Sequence, residues 1–128
     1  MAFDGPNIDW SFTAGGDLST QQFRFVKLNT SGQVVAVAAL TDIPVGILQN
    51  NPASGQEATV RVMGISKGSF DASIDEGVIV GTSADGQIDA KAVTDTTEYV
   101  LGQVILAATA AGQIGTLLVN CMNPTRAN

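Results

Sequence analysis

Few residues in this 128-residue chain could do chemistry. Two acidic stretches, DASIDEG at 71–77 and SADGQID at 83–89, bring carboxylates close enough to suggest a cation loop. An EF-hand needs alternating Asp or Asn oxygens, a central Gly and a terminal Glu, and neither stretch has that pattern. Both read as turns. The chain has no His, which removes the commonest general base and the commonest metal ligand together. The single Cys121, within the apolar run GTLLVNCM, reads as a small buried hydrophobe. Alone, it excludes a thiolate zinc cluster and an intramolecular disulfide. Lys67 in VRVMGISKG lacks the Met or acidic neighbours of a biotinyl or lipoyl carrier lysine. Gly15-Gly16 has no helix to follow it, so no phosphate loop is expected. Paired carboxylates for glycoside chemistry need only proximity in space, but aromatic side chains for sugar stacking are few. The expectation is a protein that is not an enzyme, with no catalytic, cofactor-binding or metal-binding residues.

Charge narrows the partners. Twelve acidic against six basic residues give a net charge of −6, and the cations Arg24, Lys27, Arg61, Lys67, Lys91 and Arg126 are scattered. No basic stripe is available to neutralise phosphates, so nucleic acid is not an expected partner. No apolar run approaches membrane-spanning length, and MAFDGPNIDW lacks the basic start and apolar core of a signal peptide. Synthesis in the cytoplasm and no membrane partner are expected.

The elements that would position any site are strands. Helical periodicity is missing, whereas eight short segments alternate or carry β-branched residues: 22–28, 33–39, 45–49, 57–63, 76–82, 87–93, 99–106 and 114–120. Between them, NTSG, NNPASG, SADG and AAG supply the positive φ that tight turns demand. One all-β domain is expected over 17–128, a small β-barrel or tulip-like fold.

The chain also repeats itself. Residues 31–62 and 85–119 share, in order, Gly-Gln (32–33, 86–87), Thr-Asp (41–42, 94–95), a Gly within an apolar strand (Gly46, Gly102), a second Gly-Gln (55–56, 112–113) and a Thr leading a strand (Thr59, Thr116). Two copies imply an internal pseudo-two-fold duplication; a solenoid needs at least three. Val34, Ala36 and Ala38 match Ile88, Ala90 and Ala92, which assigns them to the interior. On the other face, Val35 and Val37 match Asp89 and Lys91, and Leu118 matches Arg61. Apolar residues where the other copy is polar mark Val35, Val37 and Leu118 as a candidate subunit or capsid interface, or as a surface covered within the same molecule.

Residues 1–16 show no strand-length alternation and read as an extended N-terminal arm. Phe3, Ile8, Trp10 and Phe12 concentrate there, and the Trp is the chain's only one. Such anchors suit an arm that docks on a partner, or one that folds back to plug its own barrel.

With these motifs, from TAGGDLSTQQFRFVKL (13–28) through GQVVAVAALTDIPVGILQNNPASGQEATVRVMGISKG (32–68) to GQVILAATAAGQIGTLLV (102–119), the chain resembles the capsid cement, or head decoration, proteins of tailed bacteriophages. The resemblance implies a homotrimer on the outer capsid surface at three-fold and quasi-three-fold positions. There it would clamp the major capsid protein lattice against internal DNA pressure, with Phe3, Ile8, Trp10 and Phe12 as the capsid-binding arm. The rival reading is a carbohydrate- or cell-surface-binding β module of a virion or appendage, for which Tyr99 and Phe70 are the candidate stacking aromatics.

Overall fold

The computed structural model describes residues 7–92, 94–122 and 125–126. Those residues form eleven strands and no helix: β1 (Ile8–Thr13), β2 (Phe25–Leu28), β3 (Val34–Ala36), β4 (Gly46–Leu48), β5 (Glu57–Ser69), β6 (Ile79–Thr82), β7 (Ile88–Ala90), β8 (Tyr99–Val100), β9 (Gly102–Leu106), β10 (Ile114–Asn120) and β11 (Thr125–Arg126). Each of the eight segments expected from the sequence contains a strand. The fold is all-β, a single small domain built on a curled antiparallel sheet.

That sheet runs β3-β2-β4-β5-β10-β9-β6-β7, with β1 beside β5 off this path and β8 paired with β11 separately. The order reads the same from either end once β3 is exchanged with β7, β2 with β6, β4 with β9 and β5 with β10. The registers agree residue by residue. Val26 faces Ala36 and Gly46, as Val80 faces Ala90 and Gly102. The duplication seen in the sequence is therefore a duplication of topology.

It also extends further forward than the sequence suggests. The first half of β5 pairs with β1, from Ile8 opposite Met63 to Thr13 opposite Glu57. Its second half pairs with β10, from Gly64 opposite Val119 to Ser69 opposite Ile114. Thus β1 is the counterpart of the second half of β5. Matching parallel bridges follow each, Ala14 to Val34 and Phe70 to Ile88. So do matching hydrogen bonds, Gly15 N–H to Val34 O at 2.7 Å and Asp71 N–H to Ile88 O at 3.0 Å. The copies therefore span 8–62 and 64–119, and residues 8–13 are a strand of the sheet rather than an arm outside it. Each copy curls into an incomplete five-stranded barrel that its bridge draws together, and β5 belongs to both. At the seam β10 and β1 lie end to end, because Asn120 and Ile8 both face Met63.

The shared motifs now have causes. In the Gly-Gln pairs, Gly32, Gly55, Gly86 and Gly112 take φ near +77° to +88°, which a turn glycine adopts without strain. The Asp of each Thr-Asp pair folds back on the strand before it: Asp42 accepts from the amides of Ala38 and Ala39 at 2.9 and 3.0 Å, and Asp95 from Ala92 at 2.7 Å. Gly46 and Gly102 lie against the carbonyl oxygens of Arg61 and Leu118, where a Cβ has no room. Inside, Val26, Val34, Leu48, Val60 and Val62 build one cluster. Their counterparts Val80, Ile88, Val104, Leu117 and Val119 build the other. Burying each such side chain contributes roughly 1.5–3 kcal/mol.

Candidate interaction surface

The acidic stretch at 83–89 forms the tip of a hairpin in this fold. Asp85 accepts from the Ser83 hydroxyl and the Gln87 amide at the tip of the β6–β7 hairpin, which holds its carboxyl below the ordinary value despite the cost of burial. Asp71 follows β5; burial, then the neighbouring carboxylates Asp89 and Asp85, push it up to about 6. Among the described residues no three His, Cys, Asp or Glu side chains converge as metal ligands. Cys121 is buried, and burial pushes its thiol up to about 12, so it is not a thiolate nucleophile at neutral pH. Lys67 lies within β5 rather than at a hairpin tip, its ammonium 5.8 Å from the Phe23 ring centre.

Apolar side chains left in solvent are the more informative feature. On β1, Ile8 and Trp10 are exposed, Trp10 to 60%, and Phe12 is half-buried against the first cluster. Trp10 and Phe12 share a sheet face with their register partners Val60 and Ala58. With Val45, Val62, Cys121 and Met122 they line a groove of about 240 Å³ beside the seam where β10 ends and β1 begins. The counterparts of Trp10 and Phe12 in the second half are Ser66 and Gly68, both buried, with Ser66 accepting from Gln49 at 2.9 Å. The aromatic wall of the groove therefore belongs to the first half alone, while Cys121 and Met122, just after β10, complete the lining. A rigid clasp holds it: Arg61 on β5 donates to both carboxylate oxygens of Asp9 on β1, at 2.8 and 3.0 Å.

Of the residues singled out in the sequence, the structure thus gathers Trp10 and Phe12 into one groove and places Ile8 on the same strand. Phe3 lies outside the described residues. Leu118 is 46% exposed on the outer face, as its pairing with Arg61 suggested. Val35 and Val37 need correction as an outward-facing pair. Val35 is half-buried, and Val37 is in the core, because β3 ends at Ala36 and strict alternation ends with it. Its counterpart Lys91 is buried too, not solvated: its ammonium binds Asp89 at 2.8 Å, the Thr82 carbonyl at 2.9 Å, and Glu98. Ala38 and Ala92, expected inside, are exposed beyond the ends of β3 and β7, and Ala90, also expected inside, is exposed at the last position of β7. Phe70 is fully buried, which removes it as a stacking platform, and Tyr99 is half-buried. Sequence reasoning missed Val45, Val62 and Met122 in the groove and Ile79 on the outer face. Placing β1 beside β5 would have brought Val62 to the groove, whereas Val45 and Met122 lie outside both strands.

No known protein family matches this chain, and no curated protein sequence matches it. Among solved structures, the chain is similar to the N base of head fiber gp8.5 of bacteriophage phi29, with a TM-score of 0.69 and 17% identity over 91% of this chain and 96% of that one. At that identity the likeness establishes a shared fold, which spans nearly all of both chains.

Proposed function

We propose that this chain is a structural protein of a tailed-bacteriophage virion. It binds the outside of the expanded head as a homotrimer at three-fold and quasi-three-fold positions, and stabilises the major capsid protein lattice against the pressure of packaged DNA. The observation that carries this reading is the fold shared, almost end to end, with the base of a phage head fiber. The Trp10 groove supports it: an exposed aromatic beside a shallow apolar recess is the form of a protein-binding hot spot. In this reading Ile8, Trp10 and Phe12 are the capsid contact, presented by β1. Selective binding to the expanded lattice stabilises it by mass action, and three grooves in one trimer multiply a modest single-site affinity.

The experiment is co-sedimentation of the protein with expanded and unexpanded shells, beside a Trp10→Ser, Phe12→Ser variant. Saturable binding to expanded shells, weakened at least tenfold in the variant, is expected. Binding to neither shell overturns the reading. One feature favours the carbohydrate-binding alternative: Trp10 sits on a strand and not on a loose tail, as a sugar-stacking platform would. Glycan binding lost with Trp10→Ser, in protein that ignores capsids, would establish that reading instead.

A further inference from the structure

The duplication leaves the molecule with one interface complete and a second copy of each of its surfaces unmatched. In the first half, the outer row across β2 and β4 is Phe25 and Ile47, in register and each 0% exposed. It is buried in the core cluster of the second half, with Phe70, Ile88 and Leu117, and the β6–β7 hairpin tip closes over its Phe25 end. The Phe25 amide donates to Gly86 O at 2.7 Å, and the Arg24 guanidinium lies 3.7 Å from the Asp85 carboxylate. Thr82 and Ser83 are buried at the base of that tip.

The counterparts of both surfaces are bare. On the second half the equivalent row is Ile79, Gln103 and Leu118, in register across β6, β9 and β10, with Ile79 and Leu118 41% and 46% exposed. On the first half the equivalent hairpin tip runs from Leu28 to Gln33. Leu28 is 44% exposed where its counterpart Thr82 is 2% exposed. A Cβ at Gly86 would stand 2.7 Å from the Phe25 carbonyl, while one at Gly32 would meet nothing within 4 Å. Both tips close in the same way, by Asn29 N–H to Gln33 O and Ser83 N–H to Gln87 O, each 2.8 Å, so the free tip has the shape of the docked one.

We propose that these two free surfaces bind each other between molecules: the Leu28–Gln33 hairpin tip of one copy docks on the Ile79–Gln103–Leu118 row of the next. The occupant is a second copy of this chain, because the chain already contains one instance of the contact. Charge permits it. The internal ion pair of Arg24 and Asp85 is replaced by Val78 and Ser31 at the equivalent positions, so closing the intermolecular contact strands no charge. Two different patches meet, so the contact is heterologous, and three copies related by a rotation close a ring. This rests on the homotrimer in the proposed function and is independent of its capsid contact, which lies at the Trp10 groove.

The test measures the mass of the full chain by sedimentation equilibrium from micromolar to millimolar, for the wild type, Leu28→Asp, Leu118→Asp and an equimolar mixture of the two variants. Both substituted side chains are solvent-exposed, and unchanged circular dichroism and melting verify the fold. The expected result is a trimeric wild type, monomeric single variants, and a one-to-one dimer in the mixture, since each variant keeps one intact patch. A trimer that survives both substitutions overturns this interface and leaves the homotrimer standing. A mixture that stays monomeric overturns the head-to-tail pairing. A monomeric wild type overturns both the interface and the homotrimer.

Discussion

Arg61 grips Asp9 through two parallel hydrogen bonds, Nε to Oδ1 at 2.8 Å and Nη2 to Oδ2 at 3.0 Å, while its Nη1 donates to the Ile65 carbonyl at 2.8 Å. One side chain thereby ties β1 to both halves of β5. In the second half Leu118 occupies the Arg61 position and Ile65 the Asp9 position, so the clasp has no equivalent there. Replacing Asp9 by Ala is expected to cost about 0.5–1 kcal/mol, the upper range for a solvent-accessible ion pair with bidentate geometry. Urea unfolding measures the loss, and hydrogen exchange should locate it, with the amides of 8–13 exchanging before the rest. Unchanged exchange there would mean that backbone pairing alone secures β1.

The strand glycines make a sharper prediction. A Cβ at Gly46 or Gly102 collides with a backbone carbonyl of the neighbouring strand, which cannot move without breaking the sheet. Gly46→Ala and Gly102→Ala are each expected to destabilise by roughly 2–4 kcal/mol, as overpacking against backbone does. At Gly112, with φ +81° and open space around it, Ala should cost only about 1 kcal/mol of backbone strain. Thermal melts of the three variants check the order, and similar costs at Gly46 and Gly102 would reflect the duplication directly.

Stability should also depend on pH through Asp71. Its folded-state value is raised from 3.8 to about 6, by burial first and then by the carboxylates of Asp89 and Asp85, with Lys91 pulling the other way. The folded chain therefore holds a proton that the unfolded chain releases near 3.8. The stability this contributes is fully present below that pH and is lost as pH rises through 6. Because Asp71 is partly exposed, solvent screening limits the effect to about 1 kcal/mol. Asp71→Asn should flatten the fall in melting temperature between pH 4 and 7 relative to the wild type. An unchanged slope would mean that the carboxyl is not held in its neutral form.

What the sequence revealed and what it hid follow from one physical difference. Turn chemistry is local: Gly-Gln and Thr-Asp pairs must occupy fixed places in each copy, so the second round of strands could be read from them. Strand β1 has no such marker. It shares with 64–69 a place in the sheet and almost no residues, because Trp10 and Phe12 face a groove where Ser66 and Gly68 face a packed interior. Facing also failed where strands were short. Alternation assigned Val34 correctly and Val37 wrongly, since β3 is only three residues long. At the same position in the second half, Lys91 is read from sequence as solvated, yet Asp89 and Glu98 on nearby chain neutralise it in the interior. Leu118 was legible as an outward residue because β10 is a regular strand of seven residues.

The groove can be interrogated through its own reporter. Trp10 is the chain's single tryptophan and is 60% exposed, so its emission in the free protein should be that of a hydrated indole. If the groove is the capsid contact, adding expanded shells should shift that emission to the blue and protect it from iodide quenching, in proportion to bound protein. The interface proposed at Leu28 and Leu118 lies on other strands, so a Leu118→Asp monomer should still show the shift. It should do so with weaker apparent affinity, because three linked grooves are reduced to one. Binding with no change in Trp10 emission would move the capsid contact off β1. A shift abolished by Leu118→Asp, in protein that still folds, would mean that the groove is completed only within the assembled ring.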